Sequence, residues 1–201
     1  MQLDHLAVAG RTLDEAAAHL EAALGLPLQP GGAHARFGTH NRLLGLADGL
    51  YLEAIAIDPA APAPEHPRWF DLDRLDGPAH LRTWICRVAD LDAALARHPQ
   101  AGAPCDLARG DLRWRMAVPK SGVLPFDNRF PALIEWQGTA HPVQRLANSG
   151  ARLTRLIISH PEAGALRAGL ADLADPRVAF EPGAPALRAE FSTPHGARVL
   201  E

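Results

Sequence analysis

A strand-forming segment near the start of the chain recurs, in altered form, in its middle. Residues 3–9 precede one helical pattern of apolar residues, and residues 81–88 precede a second one. His5 in the first copy and Thr83 in the second each lie eight residues before the leucine that opens the following helix. An internal repeat of this size constrains the fold strongly, because each copy has to form the same supersecondary unit.

The first copy has the pattern of a β-α-β-β-β unit over residues 1–60. Thr12 and Glu15 are spaced as a capping box, which predicts a helix start at this point. Further on, Asp48 and Gly49 separate two apolar runs, a pattern typical of a β-hairpin.

The second copy is predicted over residues 78–140, with Asp90 as the N-cap of its helix. A third, partial β-α-β-β unit is predicted over residues 150–201, with Pro161 at the first position of its helix. The sequence therefore predicts an α+β fold of paired β-α-β-β-β units, with the third unit packed on one edge of the pair.

A carboxylate occupies a similar place in the last strand of each copy. Glu53 and Glu135 are 82 residues apart, whereas His5 and Thr83 are 78 apart, so the second copy holds a short net insertion. A carboxylate among apolar strand residues is costly unless it is paired or bound to a cation. Two converging carboxylates would also repel each other unless a proton or a cation lay between them.

Composition excludes several classes of function. The 201 residues carry a net charge of −3 with scattered basic residues, which argues against a nucleic-acid partner. No apolar run is long enough for a membrane helix, and the start of the chain has no signal-peptide pattern. Cys86 and Cys105 cannot form a disulfide framework, so we expect a cytoplasmic protein in a reducing compartment. Exposed sheet edges make a homodimer one way of covering them.

The repeat resembles the vicinal oxygen chelate superfamily, in the branch called glyoxalase-like domains. The motifs that carry the resemblance are residues 3–8, 38–42, 51–53 and 131–136. The resemblance implies that eight strands form one curved mixed sheet, with a metal on its concave face. Members of this superfamily include isomerases, ring-cleaving dioxygenases, thiol transferases and metal-free drug-binding proteins.

Carried over to this chain, the superfamily's ligand places fall on His5, Glu53, Thr83 and Glu135. His5, Glu53 and Glu135 are good ligands for a divalent zinc, nickel, manganese or iron ion. Thr83 departs from the pattern because a neutral hydroxyl is a poor ligand, so we expect it to face the ion and the substrate. The alternative is that the carboxylates pair with Arg42, Arg113 or Arg115 in a metal-free polar site.

Two further residues are candidates for substrate binding. Arg115 lies two residues from Arg113 in a strand, so both share a face and can anchor a substrate carboxylate; the alternative is that they face solvent. His34 is either an acid or base at the rim of the curved sheet or a structural loop residue. No catalytic residue is assigned.

Three functions are compatible with the sequence. The first is a metal-dependent lyase or isomerase acting on a small oxygenated metabolite. The second is a metal-free protein of the same fold that binds and sequesters a small molecule in an apolar, tryptophan-rich site. The third is an iron(II) dioxygenase, which is disfavoured because only one ligand place holds a histidine.

Overall fold

The two copies of the repeat form one continuous sheet in the structure, a computed structural model that describes residues 1–201. Their elements are β1 (Gln2–Ala9), α1 (Leu13–Leu24), β2 (Gln29–His34), β3 (Thr39–Gly45), β4 (Tyr51–Ile57), β5 (His80–Arg87), α2 (Leu91–Arg97), β6 (Ala103–Arg109), β7 (Leu112–Val118), α3 (Pro125–Asn128) and β8 (Ala132–Gln137). The remaining elements are β9 (Arg152–Ser159), α4 (Ala163–Gly169), β10 (Val178–Glu181), β11 (Ala186–Thr193) and β12 (Gly196–Leu200). Short 3-10 helices span Trp69–Arg74, Pro99–Ala101 and Pro142–Gln144.

Helix α1 begins and ends where its sequence signals lie. The Glu15 amide donates to Thr12 Oγ1 over 3.1 Å, and Gly25 closes the helix in the left-handed conformation at φ 70°. Leu20 and Leu24 are fully buried, and burial of a leucine side chain contributes about 1.5–3 kcal/mol. None of the helices is long and apolar enough to cross a bilayer.

The eight strands are arranged in the order β2-β3-β4-β1-β5-β8-β7-β6. At the centre, β1 and β5 run antiparallel and join the two copies. Within the copies, β1 pairs in parallel with β4 and β5 with β8, while the outer strands are antiparallel. The curled mixed sheet and the α+β class are as the sequence predicts.

The two faces of this sheet have different surroundings. On the convex face, Leu6, Leu52 and Trp84 pack into a core shared with α1 and the four-stranded sheet of β9–β12. On the concave face, Ala7 and Ile85 belong to a second apolar cluster, which includes residues of the 3-10 helix Trp69–Arg74. Side chains that point to the concave face are therefore enclosed between the sheet and this covering helix.

The carboxy-terminal part forms its own sheet in the order β10-β9-β11-β12. It lies against the convex face and α1 rather than along a sheet edge, since Leu156 and Phe191 belong to the same core as Leu6. Its helix α4 begins at Ala163, two residues later than the prediction from Pro161, because His160 Nδ1 first accepts from the Glu162 amide over 2.9 Å.

Candidate functional site

His5 and Glu53 meet on the concave face at the centre of the sheet. His5 pairs with Tyr51 in the β1–β4 ladder, and Glu53 lies two residues further along β4, so both side chains share a face. His5 Nε2 and Glu53 Oε2 are 3.7 Å apart, and each residue is only 5% exposed. The His5 ring stacks on Tyr51 with the centroids 4.2 Å apart, which fixes its plane.

Asp4 forms a hydrogen bond with the other ring nitrogen of His5, Nδ1. The β1–β5 pairing shifts between Leu3 and His5, a bulge that gives Asp4 no partner in the ladder. Asp4 Oδ1 lies 2.7 Å from His5 Nδ1, while its Oδ2 accepts from Trp136 Nε1 over 3.2 Å and faces His141 Nε2 at 3.1 Å. A buried carboxylate thus joins two imidazoles and an indole.

These contacts assign the protons of both imidazoles. Burial opposes ionisation of Asp4, but hydrogen bonds from His141 and His5 outweigh it and hold the pKa of Asp4 well below its ordinary value. An ionised carboxylate only accepts, so His5 Nδ1 and His141 Nε2 carry the hydrogens. His141 Nδ1 in turn accepts from the Val143 amide over 3.4 Å. His5 Nε2 is left facing Glu53.

Asn41 fixes the carboxylate of Glu53. Asn41 Nδ2 donates to Glu53 Oε1 over 2.6 Å, and its Oδ1 accepts from the Gly32 amide over 2.8 Å. Glu53 pairs with Leu43 in the β3–β4 hairpin, which puts Asn41, two residues away, on the same face. Because Oε1 is occupied, Oε2 is the oxygen of Glu53 that is available for chemistry.

A histidine–arginine pair completes the polar cluster. Arg109 Nη1 donates to His34 Nε2 over 3.0 Å and to Asn41 Oδ1 over 3.3 Å, while His34 Nδ1 lies 3.1 Å from Thr39 Oγ1. Burial lowers the pKa of His34 to about 4, with a further contribution from the Arg109 charge. His34 is therefore neutral near pH 7 and accepts from Arg109, so the structure brings it into the site rather than leaving it in a loop.

Aromatic side chains cover this cluster. Trp69 and Phe70, in the 3-10 helix Trp69–Arg74, line the same cavity as His5 and Glu53, together with Trp114 of β7. Further lining residues are His34, Asn41, Leu43, Tyr51, Arg109, Met116, Ile134, Trp136 and Pro142. The cavity holds about 30 Å³, room for roughly one water molecule. The buried Trp69 Nε1 has no hydrogen-bond partner there.

Glu135, predicted to be a metal ligand, lies on the opposite face of the sheet. Its Oε2 accepts from the Leu91 amide over 3.0 Å, at the start of α2, and from Arg115 Nη1 over 3.3 Å. Ile134 belongs to the concave cluster and Leu133 to the convex core, so strand alternation turns Glu135 away from His5. Glu135 serves as a helix cap and ion-pair partner.

The strand register shows which residue occupies the ligand place that was predicted for Glu135. In the first copy Glu53 pairs with Ala7; in the second, the matching pair is Ala132 with Ile85. The ligand places on the concave face are therefore His5, Glu53, Thr83 and Ala132. Thr83 is fully buried on that face, and its hydroxyl has no hydrogen-bond partner.

The donor set does not fit the divalent ion that the resemblance implied. Zinc sites in enzymes use three protein ligands, and here only two of the four ligand places, His5 and Glu53, carry a good metal donor. The structure has no group of three or more His, Cys, Asp or Glu side chains that could hold a metal. Arg115 is also absent from the site, because it pairs with Asp92 Oδ1 over 2.8 Å on the convex side.

Metal uptake tests whether the site binds a divalent ion. Protein purified without chelators or nickel resin, mixed with zinc, nickel, manganese or iron(II) and gel-filtered, is expected to retain well under one equivalent, as measured by elemental mass spectrometry. His5→Ala is expected to retain the same small amount. One equivalent bound by the wild type and lost in His5→Ala would restore the metal site.

The pKa of His34 predicts a pH dependence of stability. His34 stays neutral in the folded protein down to about pH 4, whereas the unfolded chain binds a proton below about 6.5. Neutral His34 thus makes its full contribution to the free energy of unfolding above pH 6.5. As the pH falls towards 4, the protein loses about 3 kcal/mol of this stability. Urea unfolding between pH 7 and 4.5 measures this slope. In His34→Gln the slope is expected to be shallower; an unchanged slope would contradict the assignment.

Asp4, Asn41, Tyr51 and Arg109 belong to the site but were not predicted from the sequence. Asp4 directly precedes His5 in β1, so regular strand alternation would place its side chain on the opposite face from His5. The bulge in β1 changes this, and the sequence does not reveal the bulge. Arg109 comes from β6, at the far edge of the sheet from β1. Asn41 had no signal either, since a two-residue turn at Asp48 and Gly49 would place it on the face opposite Glu53.

The curled sheet built from two β-α-β-β-β copies, with a polar cluster on its concave face, defines a protein of the vicinal oxygen chelate class. The chain belongs to the glyoxalase-like domain family, whose model matches residues 3–174. No curated protein matches the sequence.

Several solved structures are similar to this chain. A hypothetical protein from Staphylococcus aureus is similar with a TM-score of 0.65 and 12% identity, covering 92% of this chain and 87% of that one. Methylmalonyl-CoA epimerase from Mycobacterium tuberculosis has a TM-score of 0.44 and 21% identity, over 69% of this chain and 88% of that one. A variant of the Streptomyces coelicolor methylmalonyl-CoA epimerase in complex with 2-nitronate-propionyl-CoA has values of 0.43 and 19%, over 70% and 97%. The likeness to the Staphylococcus aureus protein concerns the fold alone.

Proposed function

We propose that this protein catalyses an isomerase- or lyase-type proton transfer on a small oxygenated metabolite, with Glu53 as the general base. The observation that carries the proposal is the state of the Glu53 carboxylate. Its Oε1 is held by Asn41 at 2.6 Å, and its Oε2 faces His5 Nε2 at 3.7 Å inside an aromatic cavity. A buried carboxylate with one fixed and one available oxygen is suited to removing a proton from carbon.

In the proposed step, Glu53 Oε2 takes a proton from the carbon next to a carbonyl group. The C–H bond breaks and its electron pair moves to the carbonyl oxygen, giving an enolate with no net oxidation. Returning the proton to another face or atom gives an isomer, whereas expelling a leaving group from the adjacent carbon gives a lyase product. His5 Nε2 can accept and return the proton, because Asp4 stabilises the resulting imidazolium from Nδ1.

The surroundings favour such an anion. The unpartnered Trp69 Nε1 can donate to a developing negative charge. Trp69, Trp114 and Trp136 limit water in the cavity, which strengthens these interactions.

Sequestration of a small molecule without turnover is the second candidate function. It is favoured by the same three tryptophans, since aromatic side chains provide most of the contact area in ligand cavities.

Solvent exchange distinguishes the two functions. The wild type is incubated in D₂O with a panel of 2-oxo acids, hydroxyketones and short thioesters, and deuterium at carbon is followed by mass spectrometry. We expect exchange of at least one panel member above the rate in buffer. Panel members that bind but never exchange would support sequestration and overturn the proposed catalysis.

A further inference from the structure

We propose that the ligand of this site carries an anionic oxygen group, a carboxylate or a phosphate, and that Arg109 binds it at the mouth of the cavity. The proposal rests on the proposed function for the reacting end of the molecule. The further step concerns the non-reacting end of the ligand, which carries the anionic group. The ligand is then a small acid rather than a neutral carbonyl compound.

Arg109 is a partly buried cation without a carboxylate partner. Its hydrogen bonds run to two neutral acceptors, His34 Nε2 at 3.0 Å and Asn41 Oδ1 at 3.3 Å. By contrast, Arg115 pairs with Asp92, and Arg145, which lies near the same opening, pairs with Asp111. A guanidinium has five N–H donors, so Arg109 keeps several of them for a ligand, in the planar arrangement that suits carboxylate and phosphate oxygens.

The local backbone is shaped around this side chain. A Cβ at Gly32 would lie 2.7 Å from Arg109 Cδ, and one at Gly31 would overlap Asn41 Oδ1. Both glycines belong to β2, so the absence of side chains there lets Arg109 cross from β6 over the strand. The position of Arg109 is therefore built into the fold.

Arg109 also lies where two spaces meet. It lines the small cavity that contains His5 and Glu53, and it lines an outer groove of about 550 Å³. Leu43 and Pro142 border both spaces as well. A ligand whose anionic group binds Arg109 can therefore have its reacting end at the opening of the water-sized cavity and any further part in the groove.

Asn41 separates the anion from the base. Its amide nitrogen donates to Glu53 and its amide oxygen accepts from Arg109, so one planar group stands between the carboxylate and the guanidinium. This arrangement keeps Arg109 from neutralising Glu53 directly and keeps a bound anion away from the Glu53 charge. The ligand's anionic group and its acidic carbon are thus held at opposite ends of one amide group.

Three matched probes test the proposal in the full chain. They are 2-oxobutanoate, its neutral amide 2-oxobutanamide, and acetonylphosphonate as a stable stand-in for a phosphate. Binding is followed through the indole N–H signals of the tryptophans in ¹⁵N-labelled protein. We expect at least one anion to bind saturably and the neutral amide to bind about tenfold or more weakly, the usual effect of losing a hydrogen bond to a charged group. Which anion binds more tightly distinguishes carboxylate from phosphate.

Variants assign the effect to Arg109. Arg109→Gln is expected to bind the anions about as weakly as the neutral amide, whereas Arg109→Lys keeps a preference for anions. Arg113→Gln is the matched control, since Arg113 is exposed and donates to the backbone carbonyls of Gly110 and Leu112. Glu53→Gln is expected to keep anion binding even though it loses exchange, which separates this proposal from the proposed reaction.

Three results would overturn the proposal. The first is equal affinity of the wild type for 2-oxobutanoate and its amide, and the second is an equal loss in Arg109→Gln and Arg113→Gln. The third is the lack of saturable shifts with either anion.

Discussion

Replacing Glu53 with glutamine is expected to lower the rate of solvent exchange or turnover by about 10²–10⁴-fold, the range for loss of a general base. Glutamine has the same shape, and its amide oxygen can still accept from Asn41 Nδ2, so the fold is expected to survive. The initial rate of deuterium incorporation measures the effect, with thermal unfolding as a check on the fold.

The matched control is Glu135→Gln. Both residues are glutamates in the last strand of a β-α-β-β-β copy, but Glu135 lies on the convex face and caps α2 through the Leu91 amide. Its replacement is expected to leave the rate within about twofold of the wild type and to cost at most about 1 kcal/mol of stability. Equal losses in the two variants would remove Glu53 from the role of base.

Replacing Asp4 with asparagine is expected to lower the rate by up to about 10⁴-fold, because the carboxylate orients the imidazole beside it. Asp4 accepts from three donors, and an asparagine amide places an N–H₂ group against at least one of them. The unpaired buried donor is expected to cost about 1–3 kcal/mol of unfolding free energy, measured by urea titration.

A positioning role has a signature that a merely structural role lacks. In Asp4→Asn, the ¹⁵N shifts of His5 are expected to show loss of the Nδ1–H tautomer, and the pH profile of the rate is expected to change shape. His141→Gln is the milder comparison, since glutamine can still donate to Asp4, and we expect a loss below about tenfold. An unchanged His5 tautomer in Asp4→Asn would contradict the assignment.

Part of the site follows from local pattern. His5 and Glu53 stand out as polar residues in strongly apolar strands, and the family resemblance implies that both lie on the concave face of one curved sheet. Their meeting depends only on parallel pairing of β1 with β4 in a register that keeps their faces aligned.

The prediction for Glu135 was wrong for a reason of alternation. The second copy has a short insertion, so the residue that matches Glu53 by sequence differs from the residue that matches it by strand pairing. When two such residues are an odd number of positions apart, their side chains lie on opposite faces of the sheet. Sequence similarity aligned Glu135 with Glu53, whereas backbone pairing aligns Ala132 with it. Because of this single difference, the predicted metal site lacks its third ligand.

The role of Asn41 shows the same sensitivity to register. A two-residue turn at Asp48 and Gly49 would pair Leu44 with Glu53 and put Asn41 on the other face. The structure has a longer turn, in which the Leu46 amide donates to Leu50 O over 2.9 Å, so Leu43 pairs with Glu53. One residue of loop length therefore decides whether Glu53 has its amide partner.

The sequence by itself determined the repeated units, the α+β class, the helix ends at Thr12 and Gly25, and two of the site's central residues. These features depend on local periodicity and capping, which act over a few residues. Only the tertiary structure decided that Asp4 stands behind His5, that Arg109 reaches the site from β6, and that Glu135 does not. Those outcomes depend on a bulge, on strand order and on the parity of pairing, which arise when distant segments pack together.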